Sequence, residues 1–222
     1  MRHYGDRNFF YGSKRRGGSQ IIFKKRSLLY NLSKAWGLIM TYFAATVANS
    51  FLELADSSKR KLTHLQLQKL MYFAHGWHLA LLDKPLVNEP FVALQNGPVL
   101  PSIQVEFSQF ANDPIPNGYK VAITNTDEAM PLITVDSVPL SDEKASNIIQ
   151  FVWDKYSPLD GVKLSAMTHE DRASLVAPET GVRNPWRKNW RIALTEGLIK
   201  KEIPNSDIKD YFKILETHRK LF

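Results

Sequence analysis

Histidine supplies the first chemistry to consider in this sequence. His75 and His78 lie three residues apart, so on a helix they share a face, and two imidazoles at that spacing joined by an acid can bind zinc. His64 and His169 are further histidines such a site would draw on. The neighbours Phe73, Trp77 and Leu79 suit a hydrogen-bonded core or rim histidine better, and no metal site is expected. Glu89 and Glu106 flank the Asn96-Gly97-Pro98 turn; a buried carboxyl there would be of chemical interest, and a salt bridge or surface acid explains the pair as well. Trp186-Arg187-Lys188-Asn189-Trp190-Arg191 interleaves aromatics with cations, as a surface that stacks bases would. A helix whose tryptophans pack inward and whose cations face water has the same spacing.

The remaining catalytic constellations are missing. There is no HExxH, and no glycine-rich turn followed by the lysine-serine pair that cradles phosphates. With no cysteine the chain has no disulfide, thiolate zinc site or thiol nucleophile, which fits a reducing compartment. The expectation is a cytoplasmic protein that binds rather than catalyses and that needs no cofactor.

The elements that must position these residues are mostly helical. Tyr42 to Ala55 places Phe43, Val47, Phe51 and Leu54 on one stripe. Thr63 and Gln66 have the form of a capping box, opening a helix to about Leu82 that is apolar on more than one face and therefore central. Val87 to Leu94 is an extended candidate, followed by the Asn96-Gly97-Pro98 turn and a helix opened by Pro101-Ser102. Tyr119–Thr124 and Leu132–Val138 form an economical hairpin across polar Asn125 to Glu128. Ser141-Asp142-Glu143 opens another helix, with Ser141 read as the capping hydroxyl and the acids in the first turn. Asp160 caps a shorter helix through Met167, Glu170 to Asn184 reads as a polar loop, and Trp186–Leu194 and Ser206–Leu221 are the last helices. The predicted fold class is mainly α with a small β element: a compact single-domain helical bundle with a short hairpin or sheet.

Charge divides the chain. The net charge is +7, yet residues 1–39 alone hold nine Lys/Arg against one acid, Asp6, giving +8 and leaving −1 for residues 40–222. The first piece reads as a basic N-terminal extension, disordered or not natively part of the fold, with Met40 as the natural start of a near-neutral body. A nucleic-acid-binding or lipid-binding arm, a signal peptide and a short docking helix over Leu28, Leu29, Leu32, Ala35, Trp36 and Ile39 are alternatives for it. No run of 18 apolar residues exists to span a membrane.

The order of motifs in the body resembles the Panacea-domain family. Leu65-Gln66-Leu67-Gln68-Lys69-Leu70-Met71-Tyr72-Phe73-Ala74-His75-Gly76-Trp77-His78 is similar to that family's central helix. Lys84-Pro85-Leu86, Glu89-Pro90 and Gly97-Pro98-Val99-Leu100-Pro101-Ser102 resemble its next segment. Leu164-Ser165-Ala166-Met167-Thr168-His169, Pro185-Trp186 and Tyr211-Phe212 resemble its later words, so the resemblance spans about residues 42–213. Two departures stand out: Gln95 near a position usually aromatic, and a longer link from His169 to Pro185, an insertion that would reshape a binding surface.

The resemblance implies an antitoxin that neutralises a cognate protein toxin, such as a small alarmone synthetase or another translation inhibitor, by direct contact. The candidate toxin-binding residues are Tyr72, His75, Trp77 and His78 where exposed, Asn96, Gly97, Pro98, Thr168, His169 and Trp186. An adaptor delivering the toxin to an ATP-dependent protease is the alternative, and a nucleic-acid binder using the basic arm is another. Residue chemistry alone leaves the toxin and the oligomeric state open.

Overall fold

The central helix organises everything around it. The computed structural model of the protein describes residues 41–123 and 133–218. Helix α1 spans Ala44–Ser57 and α2 spans His64–Leu82. Thr63 closes the expected capping box: its hydroxyl accepts from the Gln66 amide, and the Gln66 carbonyl oxygen accepts from the Thr63 amide at 3.0 Å. The Gln66 side-chain amide donates to the Leu159 carbonyl at 3.0 Å, so the cap also ties α2 to a distant segment. Apolar residues encircle α2, and Leu67, Leu70, Met71 and Ala74 are fully buried. Burying each large aliphatic side chain is worth roughly 1.5–3 kcal/mol, so a helix covered on every side anchors the core.

The elements that cover it follow in chain order. A hairpin of β1 (Val92–Leu94) and β2 (Gly97–Val99) turns at Gln95-Asn96 and leads directly into α3 (Pro101–Phe107), which continues as a 3-10 turn, Ser108–Phe110. A two-residue ladder, β3 (Ala122–Ile123) on β4 (Ile133–Thr134), forms the expected second hairpin. Helices α4 (Glu143–Tyr156), α5 (Gly161–His169) and α6 (Arg172–Val176) come next, then a 3-10 turn, Pro178–Thr180. Helix α7 (Pro185–Thr195), strand β5 (Lys201–Glu202) and helix α8 (Asn205–Thr217) complete the described chain. Helix α2 packs on α1, α3, α4, α5, α8 and β2.

Several expectations need correction. Of the expected Asn96-Gly97-Pro98 turn, Gly97 and Pro98 belong to a strand and the turn lies at Gln95-Asn96: β1 pairs with β2 in the register Ala93↔Pro98 and Leu94↔Gly97. The cap of α4 is Asp142, whose carboxylate accepts from the Ala145 amide at 3.2 Å, rather than Ser141. Both residue types cap well, and which one does so depends on where the backbone turns. Tyr42 is extended and bridges Val87, so α1 starts at Ala44, two residues later than the expected Tyr42. Segment 170–184 is not a loop. Helix α6 buries Ala173, Ala177 is buried after it, and the Tyr211 hydroxyl donates to the Glu170 carbonyl while accepting from the Arg172 amide. A helix of five residues is too short to leave a periodic signature. Strand β5 was not foreseen; two residues with a lysine and a glutamate carry no alternation, and β5 exists because β1 offers it a free edge at Val92↔Glu202 and Ala93↔Lys201. The basic extension, the possible helix over Leu28–Ile39, and Asn125–Glu128 lie outside the described residues.

Buried polar side chains fix the long excursion after α3. Asn49 of α1 donates to the carbonyls of Val121 and Val135 and accepts from the Val121 amide, while the Ser50 hydroxyl accepts from the Val138 amide. Three hydrogen bonds from one buried asparagine hold both arms of that hairpin to α1. Among the described residues, no helix is long and apolar enough to cross a membrane.

Candidate functional site

The histidines of α2 do not assemble a metal site. The His75 ring is fully buried, its Nε2 2.9 Å from the Asn205 side-chain oxygen, while its Nδ1 lies 3.4 Å from the Val87 amide. Burial lowers its pKa to about 4, so it stays neutral. His78 pairs through Nδ1 with the Lys84 carbonyl at 2.6 Å at the helix end. Tyr72 packs edge-on to Phe91 and Phe212, and the Trp77 indole N–H donates to the Tyr156 hydroxyl at 3.3 Å. All four side chains are buried and tie α2 to its neighbours, so the condition of exposure attached to them is not met. Among the described residues no cluster of three or more potential ligands could hold a metal ion.

The other motif residues do converge. The Gly97 backbone, with φ +106°, lies so close to α2 and α5 that a Cβ there would sit 2.6 Å from Lys69 Nζ and 2.8 Å from Thr168 Oγ1. Lys69 is fully buried, and its ammonium donates to the Pro98 carbonyl at 3.0 Å. The Ser165 hydroxyl donates to the Asn96 carbonyl at 2.8 Å, and the Gln68 side chain both donates to the Leu100 carbonyl and accepts from the Leu100 amide. Helix α2 thereby grips the middle and the far end of β2 through neighbouring residues, and α5 holds the turn before it.

The third wall comes from α7. Trp186 stacks on His169 with ring centroids 3.8 Å apart, and its indole N–H donates to the Leu94 carbonyl at 2.7 Å. Asn184 caps α7 by accepting from the Arg187 amide, and its side-chain amide donates to the carbonyls of Thr168 and Glu170. Of the stretch that interleaves tryptophan with cations, Trp186 is thus built into the site and Trp190 is half-buried. Arg187 donates to the His169 carbonyl, and Lys188 pairs with Asp207. Lys69, Gln68, Ser165 and Asn184 were absent from the sequence-derived list. The signal for Lys69 was legible: a lysine among the leucines of a helix buried on all sides needs an internal partner.

Electrostatically the site is positive and without an acid at its centre. Burial pulls the Lys69 ammonium down to about 7, with no carboxylate among the described residues paired to it. His64 is lowered by burial and then by Lys69, and His169 by burial, then Lys69 and Arg187. Beside the cluster, a cleft of about 550 Å³ is lined by His64, Gln68, Leu94, Asn96, Trp190 and Ile199, among others. Glu89 and Glu106 lie elsewhere: Glu89 accepts from Ser102 at the start of α3, and Glu106 accepts from the Tyr119 hydroxyl.

The site is thus a central helix clamped to a short hairpin, with α5 and α7 closing on the same residues. Residues 67–173 match the family model described as Antitoxin SocA-like, Panacea domain. The chain is similar to Antitoxin SocA of Caulobacter vibrioides (strain NA1000 / CB15N), with 45% identity over 71 residues. That alignment covers 32% of this chain and 37% of the relative's length. No solved structure matches the chain. Trp186 and α7, which complete the site, fall outside the matched residues.

Proposed function

We propose that the protein is an antitoxin that neutralises a cognate protein toxin by binding it directly, and that the toxin docks over the cleft beside the Gly97–Thr168–Trp186 cluster. The supporting observation is an apolar surface left open there. Ile199, which lines the cleft, is 87% exposed, and Leu194 in the last turn of α7 and Leu198 just after it are 60% and 45% exposed. Grouped exposed aliphatics beside a concavity mark interaction surfaces in proteins. The family match supplies the class of partner. In this reading Gly97, Thr168, His169 and Trp186 hold the hairpin that forms one wall, and Asn96, Trp190 and Ile199 meet the toxin.

The test is co-expression of the full chain with the products of neighbouring genes, reading growth rescue and stoichiometric co-purification. A small neighbour that is toxic alone and harmless with the wild-type chain supports the reading. Ile199→Asp should abolish rescue while leaving the fold intact. If no neighbour is both toxic and captured, the antitoxin reading fails. Toxin half-life separates occlusion, which leaves it unchanged, from delivery to a protease, which shortens it.

A further inference from the structure

The motif cluster contains a positive centre that no described residue compensates. Lys69 Nζ has three protons, and the Pro98 carbonyl takes one of them. His169 Nε2 is shielded from solvent and has no hydrogen-bond partner among the described residues. Leaving such groups unpaired inside a protein is costly, and a methionine at position 69 would fill the same volume without that cost. The groups facing Lys69 from each packed element are the Pro98 carbonyl on β2, His64 on α2, and Thr168 and His169 on α5, with Arg187 on α7 adding positive charge at His169. Thr168 already donates its proton to the Ser165 carbonyl at 2.7 Å. The two acids that follow α5 in the chain are engaged elsewhere: Asp171 accepts from the Asn184 amide, and Glu170 pairs with Arg172.

We infer that Lys69 and His169 form a receptor for one carboxylate of a binding partner, an Asp or Glu side chain or a C-terminal carboxylate, which enters past the half-buried His169 ring. A carboxylate has the lone pairs to accept from the remaining Lys69 protons and from His169 Nε2–H together, and it neutralises a centre that no described residue neutralises. Lys69, Thr168 and the His169 Nε2 atom are covered, and of the three residues His169 is the one partly exposed. That the partner is a toxin rests on the antitoxin reading; the chemistry of the receptor does not.

The closing experiment therefore begins without a toxin. The full chain, with 15N-labelled lysine and histidine side chains, is titrated with sodium acetate against sodium chloride at equal ionic strength. Acetate should shift the Lys69 Nζ and His169 Nε2 signals saturably and raise the Lys69 titration midpoint above its free value of about 7. In Lys69→Met the His169 shift should vanish. His169→Phe, which keeps a ring stacked on Trp186, guards against a folding defect and should abolish the Lys69 shift. Signals that respond to acetate no more than to chloride overturn the proposal.

With a toxin that the chain neutralises, both variants should bind it about tenfold to a hundredfold more weakly, the range for losing a charge-assisted hydrogen bond. Replacing the toxin's acids singly by Asn or Gln, and separately removing its last residue, tells a side chain from a C-terminus. Wild-type affinity in both folded variants overturns the proposal. A saturable acetate response in a chain that neutralises no neighbour sinks the antitoxin reading and leaves the receptor standing.

Discussion

Trp186 lies flat against His169, ring centroids 3.8 Å apart and planes inclined by 18°, while its indole N–H reaches past the imidazole to the Leu94 carbonyl. One side chain thus joins α5, α7 and the tip of the hairpin. The contact explains why a tryptophan at the start of α7 is structural even though the helix carries exposed cations, and it sets the behaviour expected of variants at this corner.

Trp186→Phe keeps the stack and removes the indole donor, leaving the Leu94 carbonyl without that partner. The expected cost is about 1–2 kcal/mol in urea unfolding, with faster amide exchange across β1 and β2. Trp186→Ala also empties the space and should cost about 3–5 kcal/mol. Loss of toxin neutralisation in that variant would follow from the collapsed corner, so Trp186→Phe is the informative substitution.

Gly97 and Gly118 both have positive φ, at +106° and +73°, but only the first is crowded. Gly97→Ala forces a methyl group against Lys69 and Thr168 and should destabilise by roughly 2–4 kcal/mol. Gly118→Ala meets nothing within 4 Å and should cost about 1 kcal/mol, from backbone strain alone. Equal effects in thermal or chemical unfolding would mean that the approach of β2 to α2 is looser than described.

Lys69 gives stability a particular dependence on pH. Its folded pKa is lowered to about 7, whereas the unfolded chain takes the ordinary value of 10.5. Between those values the unfolded state binds more protons, so stability rises with pH from about 7 upward, and the cost of burying the charge is fully felt below 7. The rise should amount to a few kcal/mol between pH 7 and 9.5 relative to Lys69→Met, which lacks it. A difference between the two proteins that stays flat over this range would contradict the buried, unpaired ammonium.

His75 works the same way at acid pH. It is held neutral with a pKa of about 4 against 6.5 unfolded, so the unfolded state binds the extra proton between pH 6.5 and 4 and stability falls as pH is lowered through that window. His75→Gln should lessen the acid loss by about 2–3 kcal/mol while costing some stability at pH 7. Denaturant midpoints at pH 7 and pH 4.5 measure both effects.

Helix α2 shows how far the sequence reaches. Its start, its end and its central place were legible because a capping box and a run of apolar residues are local signals, set by backbone amides and by side chains three or four residues apart. The same held for the buried face of α4, the pairing of β3 with β4, and the order of motifs that resembles the Panacea domain. What the sequence could not say is which way each residue of α2 points. A helix apolar on every side has no wet face to orient it, so Tyr72, His75, Trp77 and His78, read as contacts where exposed, turn out to be covered by α4, α8 and the chain after α2. Residues separated by most of the domain had to meet before Lys69 acquired its place under Pro98, Trp186 its place on His169, and Lys201 its pairing with Ala93. Those relationships depend on long-range packing and on backbone groups seeking distant partners, and tertiary structure alone decides them.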